Sequence, residues 1–234
     1  MSLSSFTSLG YVATETSGKI PPTSIAEMNL ASQTLLYYNN TSNTSYLATG
    51  SSATDDSGFY LTTAGNYGAI DLGNVQSGLS NTAITNIRNK TIMFTMSASL
   101  SDVANNGIFV GHFRFGCNSL GTGGYAHRAS GGNLNTSASW TTTTSPSWTG
   151  QFPTILFSST TTRESYFIII SIDVDGSIKI ASQKSTATNF AGNRSYAISE
   201  NPLVASTNNN FIGFNASSRL MRWSDIRVYD GALL

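Results

Sequence analysis

Apolar side chains recur at every second position through the most hydrophobic stretches of this chain, and that period fits strands and excludes amphipathic helices. From Thr91 to Leu100, the residues Ile92, Phe94, Met96, Ala98 and Leu100 alternate with Thr91, Met93, Thr95, Ser97 and Ser99, the pattern of a half-buried strand. An Asn105-Asn106-Gly107 turn signal follows. After it, Gly107 to Gly116 alternates Phe109, Phe113 and Phe115 against Ile108, Val110, His112 and Arg114, and reads as the neighbouring strand. Tyr166 to Val174 is the most β-prone stretch. Asp175-Gly176 then turns the chain into Ser177 to Ser182, because a tight hairpin needs residues that tolerate positive φ. Asn210 to Phe214 and Leu220 to Tyr229 supply two more strands around a polar Asn215-Ala216-Ser217-Ser218 segment.

Helix signals are sparse. Pro21 and Pro22 precede Ser24, and Glu27 stands three residues beyond it as a capping box, so a short helix is expected from Ile25 to about Gln33. Residues 1–30 read as an arm, or a first strand plus that helix, ahead of one domain over 31–234. Strands divided by turn residues, with almost no helix between them, predict an all-β antiparallel two-sheet sandwich. Asn39 to Ser45, Thr141 to Thr144 and Ser158 to Thr162 are too polar to fill a core and read as loops or edges. No repeat of solenoid or propeller length is visible.

Charge decides what such a sandwich can bind. Charged residues make up 10% of the chain and hydrophobic ones 39%. The deficit of charge is filled by Ser, Thr and Asn, so the solvated skin is expected to be neutral and hydrogen-bonding. Twelve Lys and Arg balance twelve Asp and Glu without a basic cluster, which offers no electrostatic handle to nucleic acid or an anionic membrane. The single cysteine, Cys117, excludes an intrachain disulfide and a Cys-based metal site. Met1 to Gly10 lacks the basic start and apolar run of a secretory signal. No run has the length of a transmembrane helix.

Three segments together resemble the laminin-G-like, or concanavalin A-like, jelly-roll superfamily. Asp55-Asp56-Ser57-Gly58, followed by Gly65-Asn66-Tyr67-Gly68-Ala69-Ile70-Asp71-Leu72-Gly73, resembles the family's opening turn and strand, and Thr91 to Leu100 its next strand. Phe211-Ile212-Gly213 with Met221-Arg222-Trp223-Ser224-Asp225-Ile226-Arg227-Val228-Tyr229-Asp230-Gly231-Ala232-Leu233 is similar to its closing strand. The resemblance covers roughly residues 50–234 and implies a domain that binds carbohydrate or protein, with some relatives acting as glycan hydrolases or lyases. It also raises calcium, whose oxygen ligands would be Asp55 and Asp56; an Asp-Asp-Ser-Gly run is equally a plain turn.

Catalytic signals are absent. Glycoside hydrolysis requires two carboxyl groups flanking the scissile bond, and no Glu-x-Asp-x-Glu strand occurs. Asp173-Val174-Asp175 comes nearest, but Asp175 before Gly176 reads as a turn residue. His112 and His127 are the only histidines, and no Gly-x-Ser-x-Gly elbow surrounds a serine.

The most informative connection is Cys117 to Gln151, rich in Gly, Ser, Thr and Asn, with a further strand expected around Ser137 to Thr142. Aromatic platforms beside polar donors suit sugars, whose rings offer apolar C–H faces and a rim of hydroxyls. Tyr125, His127, Arg128, Trp140 and Trp148 are therefore the candidate glycan contacts, with core filling the alternative for the two tryptophans. Trp223, beside Ile226 and Val228, is expected in the core. The expected role is a non-catalytic, glycan-binding surface module of a phage or virus particle, working as a homo-oligomer. The alternatives are a structural protein contacting neighbouring virion subunits and a polysaccharide-degrading enzyme.

Overall fold

The computed structural model describes residues 22–39, 52–55, 58–61, 67–72, 84, 86–99, 110–117, 125–130, 133–134, 148–149, 155–156, 159–175, 178–190, 198–199, 211–216 and 222–234. Two 3-10 turns, Ala26–Met28 and Leu30–Ser32, precede the strands. In chain order these are β1 (Leu35–Asn39), β2 (Ser52–Asp55), β3 (Gly58–Leu61), β4 (Tyr67–Asp71), β5 (Lys90–Ala98), β6 (Val110–Cys117), β7 (Tyr125–Ser130) and β8 (Asn133–Leu134). There follow β9 (Trp148–Thr149), β10 (Ile155–Leu156), β11 (Glu164–Ile172), β12 (Ile178–Lys184), β13 (Ile198–Ser199), β14 (Phe211–Ala216) and β15 (Arg222–Asp230).

The large sheet runs β12-β11-β5-β15-β3-β2, with β1 also paired to β15, and a second sheet runs β4-β14-β6-β7. The pairings are antiparallel. The expected all-β antiparallel class is therefore the class observed.

Register explains why this sheet forms. Ile168 and Ile170 of β11 stand opposite Phe94 and Ile92 of β5, and Val228 of β15 stands opposite Ile92. Opposite residues of an antiparallel ladder share a face, so the period-two apolar residues of three strands gather on one side. Ile92, Phe94, Ile168, Ile170, Ile172, Ile226 and Val228 are each 1% exposed or less. Full burial of such a side chain contributes roughly 1.5–3 kcal/mol, and a face buried along its length requires a second layer over it.

The reverse face carries a second apolar cluster. Met93, Ile169, Ala181 and Tyr229 pack there against Met28, Phe190 and Leu234, flanked by Ile25, Leu30 and Leu233. The N-terminal segment is tied down where the Phe190 amide donates to the Thr23 carbonyl at 2.8 Å and the Ile25 amide to Gln183 Oε1 at 2.9 Å. The C-terminal segment is held by two buried hydroxyls, with the Leu233 amide donating to Thr91 Oγ1 at 3.0 Å and the Leu234 amide to Ser171 Oγ at 3.3 Å.

Several expectations change. The strands at 91–100 and 107–116 are not neighbours: β5 lies between β11 and β15, and β6 between β14 and β7 in the other sheet. Later strands with matching apolar faces occupy both edges of β5. Nor is β5 half-buried, since Thr91, Met93 and Ser97 are buried as well, with Met93 in the cluster of Met28, Phe190 and Leu234 and Thr91 bonded to the C-terminal segment. Ile25 to Gln33 is not one helix, because Asn29 takes a left-handed conformation (φ 49, ψ 51) that interrupts it. Its capping box forms one residue displaced. Ser24 Oγ accepts from the Glu27 amide at 3.2 Å, while the Glu27 carboxylate accepts from the amide of Thr23 at 2.6 Å. Finally, the Cys117 to Gln151 stretch is not an open loop, for it contains β7, β8 and β9.

Candidate functional site

The closing strand β15 carries Arg222, Asp225, Arg227 and Asp230, a concentration of charge in a chain that has little. Regular alternation would send Asp225 to the same side as Trp223, which is 2% exposed in the core as expected. A slip in the register with β5 between Ser224 and Arg227 prevents this. At the resulting bulge Asp225 adopts φ 57, a left-handed conformation that Asp tolerates better than most residues. Ile226 and Val228 then return to the core, while Arg222 and Arg227 share the reverse face.

Two short strands use the same edge of β15, one at each end. Trp223 pairs with Phe59 of β3, and residues 226–229 pair with β1. Tyr60 therefore comes to Arg222 and Tyr38 to Arg227. The Arg222 guanidinium carbon lies 3.8 Å from the Tyr60 ring centroid and that of Arg227 lies 5.3 Å from Tyr38, both within cation–π range. Arg227 Nη2 donates to both Asp225 carboxylate oxygens at 3.0 Å, and Nε to Oδ1 at 3.3 Å.

Between the two stacks Thr95 and Ser224 stand opposite each other in register, both half-buried. The cluster keeps solvent access, with 30% of the Asp225 side chain and 34% of Arg227 exposed. Burial and then the adjacent Asp225 carboxylate push the Tyr38 hydroxyl above its ordinary pKa, against the opposing charge of Arg227. Burial works to lower the pKa of Arg227, but hydrogen bonding to Tyr229 and Asp225 holds it above the usual value. Arg227 is thus a fixed cation and Tyr38 a fixed hydroxyl. Together the strip offers aromatic faces, fork-shaped donors, a carboxylate acceptor and hydroxyls on one side of the sheet.

The residues expected from the sequence fall elsewhere. Tyr125, His127 and Arg128 stand on β7 opposite Phe115, Phe113 and His112 of β6. Trp148 pairs with Ser199 in the two-stranded β9–β13 sheet, and Trp140 lies outside the described residues, as does the strand expected at 137–142. Asp55 ends β2 opposite Gly58, and Asp56 lies outside the described residues. Among the described residues no three His, Cys, Asp or Glu side chains gather as metal ligands. None of the described helices is long and apolar enough to cross a membrane.

Sequence reasoning missed Tyr38, Tyr60, Arg222, Asp225 and Arg227 as a site. The available signal was the presence of three charged side chains near Trp223 in a strand of a charge-poor chain. The partners on β1 and β3 carry no such mark.

No protein-family model and no curated protein matches the chain. Among solved structures it is similar to the Emp46p carbohydrate recognition domain in its metal-free form, at 14% identity and a TM-score of 0.44, over 83% of this chain and 92% of that one. It is similar to the botulinum neurotoxin serotype D binding domain at 14% identity and a TM-score of 0.37. That match covers 75% of this chain and 39% of the other. A marine PL-14 alginate lyase from Aplysia kurodai matches at 10% identity and a TM-score of 0.28, over 83% of this chain and 89% of that one. Similarity at this level leaves the fold to rest on the chain's own sheets and assigns no ligand.

Proposed function

We propose that this protein is a non-catalytic carbohydrate-binding module whose ligand lies along β15 on the large sheet's reverse face. The observation that carries the reading is the pairing of Tyr38 and Tyr60 with Arg227 and Arg222 along β15, where Arg222 is buried and Tyr38, Tyr60, Asp225 and Arg227 are half-buried. Tyrosine rings supply apolar surface for sugar C–H groups, while guanidinium and carboxylate groups exchange hydrogen bonds with hydroxyls. Tyr125, His127, Arg128, Trp140 and Trp148 belong to the same proposal as a second set of contacts.

The neutral, hydroxyl-rich and amide-rich composition supports placing the module on the surface of a phage or virus particle, as a homo-oligomer whose repeated weak contacts add up. A broad glycan array probed with the wild type, Asp225→Asn and Trp140→Ala tests the reading. Binding of a glycan family by the wild type and its loss in Asp225→Asn is the expected result. A stable oligomer that binds no glycan would point to structural assembly, and release of reducing ends from a bound polysaccharide would contradict the non-catalytic part.

A further inference from the structure

We infer that the second sheet carries a separate site for an acidic sugar, one bearing carboxylate or sulfate groups, centred on Arg114 and Arg128. The inference rests on the carbohydrate-binding reading above and adds a second ligand class on a different sheet.

The site follows from register. In the sheet β4-β14-β6-β7, Ile212 and Phe214 stand opposite Phe115 and Phe113, which in turn stand opposite Tyr125 and His127. Residues alternate between faces along a strand, so these share one face, the one that hydrophobic patterning assigns to a core. Antiparallel sheets commonly bury one face and leave the other to water. That other face receives a row of Tyr67, Asn215, His112 and Arg128 across all four strands, with Arg114 in the next row. Of Tyr125, His127 and Arg128, Arg128 alone stands there.

Charge favours an anion on this face. Arg128 stands directly opposite His112, and Arg114 is its diagonal neighbour, roughly 7–8 Å away between α-carbons. Like charges on neighbouring positions of a sheet destabilise it, and an anion shared between them offsets the repulsion. The one acidic residue on that face among the described residues is Asp71, on β4 two strands from Arg114 and so about 10 Å or more away. That exceeds the screening length of about 8 Å at physiological salt, and Asp71 leaves the two arginines uncompensated.

Residue size favours a sugar ring beside that charge. The row through Arg114 is otherwise Ala69, Gly213 and Ala126, residues with nothing larger than a methyl group. Guanidinium forks suit the paired oxygens of acidic groups, while a tyrosine ring and an amide suit the C–H and hydroxyl groups of the same sugar.

The experiment is titration calorimetry of the full chain with oligogalacturonates, heparin-type sulfated oligosaccharides, neutral cello- and manno-oligosaccharides of matched length, and a single-stranded oligonucleotide. An acidic oligosaccharide should bind, and its affinity should fall about fivefold or more from low to high salt. The tighter of the two acidic ladders identifies the group as carboxylate or sulfate. Arg114→Gln and Arg128→Gln should each weaken that binding about tenfold, while Asp225→Asn, in the other sheet, should leave it unchanged. Acidic binding that ignores salt, or that survives both arginine changes, overturns the inference, as does an oligonucleotide that binds more tightly than either acidic ladder. Binding of neutral ladders alone overturns it and leaves the β15 reading in place, while failure of every oligosaccharide to bind overturns both.

Discussion

Gly58 lies so close to Trp223 that a β-carbon on it would stand 2.3 Å from the Trp223 carbonyl oxygen and 3.0 Å from Ser224 Cβ. With φ at +124, a conformation closed to other residues, the position admits glycine alone. The obstructing atoms are mostly backbone and cannot swing aside. Gly58→Ala is expected to destabilise the protein by roughly 2 kcal/mol or more, read from urea denaturation. The backbone that must yield carries the bulge, so glycan affinity should fall in the same variant.

Asp225→Asn separates charge from conformation. Asn accepts the left-handed backbone as readily as Asp, so the bulge should persist. An exposed ion pair contributes at most about 1 kcal/mol, and the loss of stability should not exceed that. Sugar binding, by contrast, should drop sharply in calorimetry. Asp225→Val should lose both, because a β-branched residue is strained at φ 57.

Thr91 is fully buried, and its hydroxyl donates to the Gly231 carbonyl at 2.9 Å, receives the Leu233 amide at 3.0 Å and lies 3.2 Å from Ser171 Oγ. Thr91→Val keeps the shape and removes these partners. Leaving a buried donor and acceptor unmatched costs about 1–3 kcal/mol. The expected signature is a lower urea midpoint together with faster hydrogen exchange at the Leu233 amide, as residues 231–234 lift from the sheet.

Stability should decline on the alkaline side. A hydrogen bond from Lys184 to the Glu164 carboxylate raises the lysine above its ordinary 10.5, and burial followed by Asp225 raises Tyr38 above 10.0. Each group holds its proton more tightly when folded, so its contribution is complete below the unfolded pKa and disappears as pH climbs through the folded one. Urea midpoints should therefore stay level from neutrality to near these ordinary values and then fall. Lys184→Met and Tyr38→Phe should each make the fall shallower, and an unchanged slope in both would refute the assignment.

The strands were legible because burial acts on every second residue. Thr91 to Ala98 and Tyr166 to Ile172 show a core face directly, although Val174, which alternation puts on that face, lies beyond β11 and is exposed; Asp175 marks the hairpin between β11 and β12. Pairing was less visible, since any apolar face can sit beside any other. The sequence therefore suggested β6 as the neighbour of β5, although β11 and β15 hold that place. The candidate strip was hidden for a different reason. It draws Tyr38, Tyr60 and Thr95 from separate strands and depends on a one-residue slip at Asp225, which alternation alone would place in the core. Asn29 shows the same limit on a smaller scale, where a sound cap at Ser24 and Glu27 led into a helix that a single left-handed residue divided.

The left-handed backbone at Asp225 also bears on how such a protein can change over generations. That position can exchange only among Asp, Asn and Gly without strain, whereas Thr95 and Ser224 sit in ordinary extended strand and are open to replacement. Related sequences would thus be free to vary at the middle of the strip while its anchor stayed constant. Recognition could then diversify on an unchanging frame.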